Sequence, residues 1–199
     1  MEPNHSVDFF RDQFDQQIGT ADYRLNPFEE WTLPHLRGSL LELGCGLGNL
    51  TLAAARRGLA VTALDACPNA VSDLKRRAEA ERLAVRVREA DLHDWQADAE
   101  YDCVAAIGLL MFFTCDDGRR VLGEIRRAVR PGGVVAVNVL TEGTTFMAMF
   151  DPAHYCLFPP RELAESFAGW QLLLDRSDDF AAPGGQVKRF ATVIARRLA

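Results

Sequence analysis

The chain has no surplus of basic charge. Its 22 Lys and Arg stand against 28 Asp and Glu, a net charge of −6. A sequence-independent nucleic-acid binder needs a basic face, so that class is disfavoured. No apolar run reaches the ~20 residues of a membrane span. Met1-Glu2-Pro3-Asn4-His5 lacks the basic and apolar regions of a secretory signal. Cysteine is sparse: Cys45, Cys67, Cys103, Cys115 and Cys156 are odd in number, widely spread and without a C-x-x-C pair. That pattern fits reduced thiols in a cytoplasmic protein rather than disulfides or a zinc site. The four histidines are equally scattered, so no metal site is expected. Repeats, linkers and low-complexity tracts are missing too. A single domain over residues 1–199 is expected, long enough to bury a full core.

What is present is a glycine loop. Leu40 to Leu43 reads as a short buried strand, and Asn49 to Arg57 as a helix stopped by Gly58. Between them Gly44, Gly46 and Gly48 alternate with Cys45 and Leu47. Gly lets the backbone turn sharply and a ligand approach it closely. The following helix start offers unpaired N–H groups. A dinucleotide fold wants G-x-G-x-x-G, and here Asn49 falls where the next x would stand, which speaks against a nicotinamide enzyme. Glu42 lies two residues before the first glycine.

The rest of the chain repeats the strand–helix alternation. Leu59 to Leu64 reads as a strand ending at Asp65 and Ala66, and Pro68 opens a helix. That helix carries Val71, Leu74 and Ala78 inward and Lys75, Arg76, Arg77 and Glu81 outward. An acid at the end of the second strand is well placed for both ribose hydroxyls of a nucleoside. Val85 and Val87 alternate with arginines as a third strand, followed by Asp91, Leu92 and His93. His93 is expected on a loop surface. Tyr101 to Ile107 is a fourth strand, and the apolar run Gly108 to Thr114 suits a pocket wall or plain core. Asp116-Asp117 is expected to cap the next helix, and Pro131-Gly132-Gly133 to end it before a strand from Val134 to Leu140. Trp170 to Asp175 and Val187 to Arg196 read as two closing strands. Ahead of all this, residues 1–37 carry Phe9, Phe10, Phe14, Tyr23, Phe28 and Trp31. They read as helices that cover the core, as a lid over a ligand pocket, or as both. The pattern predicts an α/β fold: a doubly wound, mostly parallel seven-stranded sheet with an antiparallel C-terminal strand, its core at residues 38–199.

Glu42-Leu43-Gly44-Cys45-Gly46-Leu47-Gly48, Asp65, Ala90 to Trp95, Tyr101 to Val104 and the strand after Arg130-Pro131-Gly132-Gly133 together resemble class I S-adenosylmethionine (SAM)-dependent methyltransferases. The resemblance implies SAM as cofactor and S-adenosylhomocysteine as product. It implies a cofactor site of Glu42, Gly44, Cys45, Gly46, Gly48, Asn49, Asp65, Ala66, Asp91, Leu92 and Ile107. Val71 to Ala78, Leu109 to Phe113, Arg130 to Leu140, Phe158 to Trp170 and Val187 to Arg196 further resemble the tellurite-resistance methyltransferases. These are cytoplasmic enzymes that methylate tellurium or selenium oxyanions and related small acceptors, and for this chain a tellurite-, selenite- or thiol-type acceptor is expected. On that resemblance Arg189 falls on an acceptor-site arginine, with Tyr155, Met111, Phe112 and Met147 around it. Ser177-Asp178-Asp179-Phe180 stands where that family has an adjacent histidine–arginine pair. A small-molecule acceptor is expected, without nucleic acid or membrane, in a monomer or homodimer. The rival is a SAM-binding sensor or accessory protein without turnover. No general base is evident.

Overall fold

The computed structural model describes residues 5–199, so the signal-sequence reading of Met1–Asn4 lies outside the described residues. The chain opens with α1 (His5–Thr20) and α2 (Pro27–Thr32). Then come β1 (Ser39–Leu43), α3 (Asn49–Arg56), β2 (Ala60–Asp65), α4 (Pro68–Ala80), β3 (Val85–Glu89) and β4 (Tyr101–Ile107). A tight helical turn over Leu110–Phe112 leads into α5 (Cys115–Ala128). β5 (Val129–Leu140), α6 (Glu162–Glu165), β6 (Gln171–Ala182) and β7 (Gln186–Arg196) complete the chain.

The strands form one seven-stranded sheet in the order β3-β2-β1-β4-β5-β7-β6. β1 to β5 pair in parallel, while β7 runs antiparallel between β5 and β6. The order reverses at β1, where the glycine loop leaves the sheet, and such a switch point opens a crevice at the strands' carboxyl ends. Alternation along each strand sends side chains to opposite faces. Leu40, Cys103, Ala105, Val134, Ala136 and Ile194 join Leu50 and Ala54 of α3 on one face. Leu41, Val104, Val135, Val137 and Val193 meet Leu122 and Ile125 of α5 on the other.

Asp102, beside Tyr101 at the start of β4, fixes the entry to β1. Its Oδ2 accepts from the Ser39 N–H and hydroxyl, both at 2.8 Å. Gly38, at φ +61°, leaves no room for a Cβ against that carboxylate.

Several local expectations change. The cap of α5 is Thr114, whose hydroxyl accepts from the Asp117 N–H; Asp116 and Asp117 lie inside the first turn. β5 begins at Val129, so Pro131-Gly132-Gly133 lies within the strand, beside a register shift against β4. β6 extends past Asp175 to Ala182. Arg77 is not a solvated residue. Its side chain is 11% exposed, pairs with the buried Asp73, donates to the Leu47 carbonyl and lies 3.9 Å over the Tyr23 ring. Cys115 and Cys156 form a disulfide, against the expectation of five reduced thiols; Cys45, Cys67 and Cys103 are free and buried. The pair lies 41 residues apart in sequence, joined by a fold that brings the start of α5 against the segment after β5. The reduced-thiol argument for a cytoplasmic location thereby loses two of its five cysteines. No helix among the described residues is long and apolar enough to cross a membrane.

Candidate functional site

The glycine loop is held by backbone and carboxylate together. The N–H groups of Gly44 and Cys45 both donate to the Leu64 carbonyl, at 2.8 and 3.0 Å. Gly46 N–H donates to Asp65 Oδ2 at 2.6 Å, and Cys67 N–H to Asp65 Oδ1 at 2.8 Å. Gly46 sits at φ +50°, where a Cβ would press on the Phe14 ring at 3.0 Å. The loop therefore requires Gly for its conformation and for the close approach of α1. Gly48, at φ +68°, caps α3 without a side chain, so the helix start keeps free N–H groups.

Around this loop lies a cavity of about 410 Å³ at the carboxyl ends of the strands. Gly44, Cys45, Gly46, Gly48, Asn49, Asp65, Ala66, Asp91, Leu92 and Ile107 all line it. Glu42 does not. It is buried beneath the loop, where its carboxyl takes the Thr51 hydroxyl, and desolvation raises it to about 8. Desolvation also raises Asp65, against the N–H groups of Cys67 and Gly46 that favour its charge. Partial desolvation works to raise Asp91 as well, but the backbone N–H and ring of His93 outweigh it and hold that carboxyl below its ordinary value. His93 is thus tied to the site instead of standing free on a loop. Its ring lies edge-on to Phe113, 4.7 Å away, and lines the cavity.

The far end of the cavity is apolar. Phe10, Phe28, Met111, Phe112, Met149 and Phe190 supply most of that wall. The rings form a chain: Phe10 meets Phe112 at 5.2 Å, Phe112 meets Phe150 at 5.3 Å, and Phe150 stacks on Tyr155 at 5.3 Å. Tyr155 therefore backs the wall from outside, 38% exposed, and Met147 also lies outside the lining. Arg189 points elsewhere. It forms a two-pronged pair with Asp179, at 2.8 and 2.9 Å, on the hairpin surface. Its neighbours on β7, Lys188 and Phe190, face the cavity instead. Desolvation lowers Lys188, whose ammonium lies 4.6 Å from the Phe146 ring centre, and no carboxylate among the described residues pairs with it.

Besides Lys188, the lining residues that escaped the sequence reading include Glu29 and Asn138. Glu29 of α2 faces the cavity, and desolvation raises it to about 7. Asn138 of β5 donates to the Thr192 hydroxyl at 2.8 Å, while its buried Oδ1 finds no donor among the described residues. The signal for Glu29 was Asn26-Pro27 followed by an acid at the capping-box position. For Asn138 it was a polar residue inside an apolar strand.

The description of a methyltransferase domain matches residues 40–133. The malonyl-[acyl-carrier protein] O-methyltransferase of Salmonella typhimurium is 34% identical over 140 residues, covering 67% of this chain and 54% of that protein. Residues 40–133 thus carry a methyltransferase domain, and the chain has the fold of the class I SAM-dependent methyltransferases. It spans about half the length of the curated relatives it matches. Among solved structures of this fold, TehB from Haemophilus influenzae superposes with a TM-score of 0.77 at 20% identity, over 94% of this chain and 67% of that one. The DhpI–SAH complex superposes with a TM-score of 0.63 at 23% identity, over 98% and 96%.

SAM is the methyl donor of this family, and the residues present fit it. The cavity has the size of a small-molecule site. Its glycine loop admits close approach, and the orphaned oxygen of Asn49 seeks a hydrogen-bond donor. Asp65 and Asp91 would hold the nucleoside, with the free N–H groups of α3 beside it.

Proposed function

We propose that the chain transfers the methyl group of SAM to a small, anionic, otherwise apolar acceptor, with Lys188 as the group that holds the acceptor's charge. The observation that carries this reading is the placement of Lys188 beside Phe190, Met111 and Phe112, without a carboxylate partner. When bound, SAM supplies a methyl already activated on a sulfonium. The chain's task is then to position a lone pair in line with it and to exclude water. The aromatic wall excludes water, and Lys188 orients the acceptor. An acceptor that is already anionic needs no proton removed before attack, so the reading requires no general base.

Thiolates and small apolar acids meet this description in full; tellurite and selenite meet its size and charge. The reading sets aside Arg189 and Tyr155 as direct acceptor contacts, because both lie outside the cavity. It takes α1 and α2 as a lid over the cofactor, since Phe14 rests on Gly46. A cytoplasmic location and a monomer or homodimer belong to the same reading.

The test is turnover of SAM to S-adenosylhomocysteine with a panel of those acceptors, on wild type and Lys188→Met. Losing a charged partner costs about 1.5–3 kcal/mol, so kcat/KM should fall roughly tenfold to a hundredfold with cofactor affinity unchanged. Full activity of the variant would remove Lys188 from the site. Cofactor binding with no turnover on any acceptor would favour a sensor or accessory role.

A further inference from the structure

Glu29 sits on the N-terminal cover, away from the residues that the glycine-loop motif assigns to the cofactor. Its place is well fixed. The Asn26 side chain accepts from the Glu29 N–H at 3.0 Å, and Glu29 Oε2 accepts from the Asn26 N–H at 2.8 Å. Next door, Phe28 is buried against Phe190 at 4.6 Å and Phe180 at 5.4 Å, which pins α2 over the β6–β7 hairpin. One carboxylate oxygen is thus engaged, and among the described residues no donor takes the other.

Asn49 faces the same cavity from the start of α3. Its Nδ2 donates to the Arg24 carbonyl at 3.1 Å, which ties it to the segment just before α2. The other amide atom, Oδ1, is buried, and no donor among the described residues takes it. Buried acceptors without partners are costly and rare. A carboxylate and an orphaned amide oxygen together call for a ligand with several N–H donors and positive charge. The sulfonium of SAM carries no N–H, and its carboxylate would be repelled. Its α-ammonium has three donors and one charge.

We propose that Glu29 is a cofactor-binding residue, which takes the α-ammonium of SAM together with Asn49 Oδ1. The inference rests on the reading that this cavity holds SAM. It makes the N-terminal cover part of the cofactor site.

Calorimetric titration of the full chain with S-adenosylhomocysteine and with 5′-methylthioadenosine tests it. The second ligand keeps the nucleoside and thioether but lacks the amino acid. Glu29→Gln keeps an oxygen for the Asn26 N–H and removes the charge. It should weaken S-adenosylhomocysteine by about tenfold or more and leave 5′-methylthioadenosine within about twofold. Asn49→Ala should show the same selectivity. Equal losses for both ligands would make Glu29 a structural cap and overturn the proposal. So would unchanged S-adenosylhomocysteine affinity, whatever happens to turnover. Failure of the wild type to bind S-adenosylhomocysteine would overturn the reading beneath it as well.

Discussion

Glu42→Gln should stabilise the chain at alkaline pH and leave it nearly unchanged in acid. Glu42 is 4% exposed, accepts the Thr51 hydroxyl, and has a carboxyl raised by desolvation from its ordinary 4.5 to about 8. The charges of Glu29 and Asp65 add to the shift. Between those two values the folded chain holds a proton that the unfolded chain has released. Stability then falls as pH rises through the window, because the unfolded state binds fewer protons. At ~1.36 kcal/mol per pH unit, the loss between pH 5.5 and pH 8 is about 3 kcal/mol. Gln cannot ionise, yet it keeps an acceptor for Thr51. The variant's advantage over wild type should therefore grow by about 3 kcal/mol across that range. Urea unfolding of both proteins without cofactor, at pH 5.5 and pH 8, measures the difference directly. Glu29 titrates in both proteins and largely cancels. A difference that stays constant with pH would refute a protonated Glu42.

Asp65→Ala should weaken S-adenosylhomocysteine binding at least about tenfold, since charge-assisted bonds are worth roughly 1.5–3 kcal/mol each and the Gly46 tether is lost with them. Equal dissociation constants in calorimetry would take Asp65 out of the site. Cys115→Ser should lower unfolding stability by about 3–4 kcal/mol, the chain-entropy value for a cross-link closing a loop of this length. Urea midpoints that do not differ between oxidised wild type and the variant would show that the disulfide does not hold the wall behind Phe112.

The alternation of strands and helices was legible because its signals are local. Apolar runs mark β1, β2, β4 and β5, the alternation of Val85 and Val87 with arginines marks β3, and the spacing of Gly44, Gly46 and Gly48 marks the loop after β1. The glycine-loop side of the cavity was legible for the same reason, since its lining residues follow consecutive strand ends. What was not legible depends on pairs distant in sequence. Cys115 meets Cys156 because the segment after β5 folds back, where Cys156 N–H donates to the Met111 carbonyl at 3.0 Å. Arg77 reads as surface from helical periodicity, yet the loop carbonyl of Leu47 and the ring of Tyr23 enclose it. Glu29 reads only as half of a capping box, and its cavity face appears once α2 lies over the sheet.

The acceptor side turns on a period of two. Leu140 pairs with Phe190 and Asn138 with Thr192, so the alternate residues Lys188, Phe190 and Thr192 share the face of β7 that borders the cavity. Arg189 must then point to the opposite face, whatever residue a related sequence carries there. On that face it stands directly across from Asp179, and its guanidinium lies close over Gly143, whose missing side chain leaves the space. Both partners are about half exposed, so solvent screens their attraction and the pair does not itself choose the direction. The strand pleat does. Asp179 lies in the stretch Ser177-Asp178-Asp179-Phe180, which lacks a histidine–arginine pair, and it gives Arg189 a partner on the outside. With that pair turned away, the lysine that lines the cavity is Lys188, one position earlier on the same strand, and this is why the proposed reading gives it the acceptor's charge.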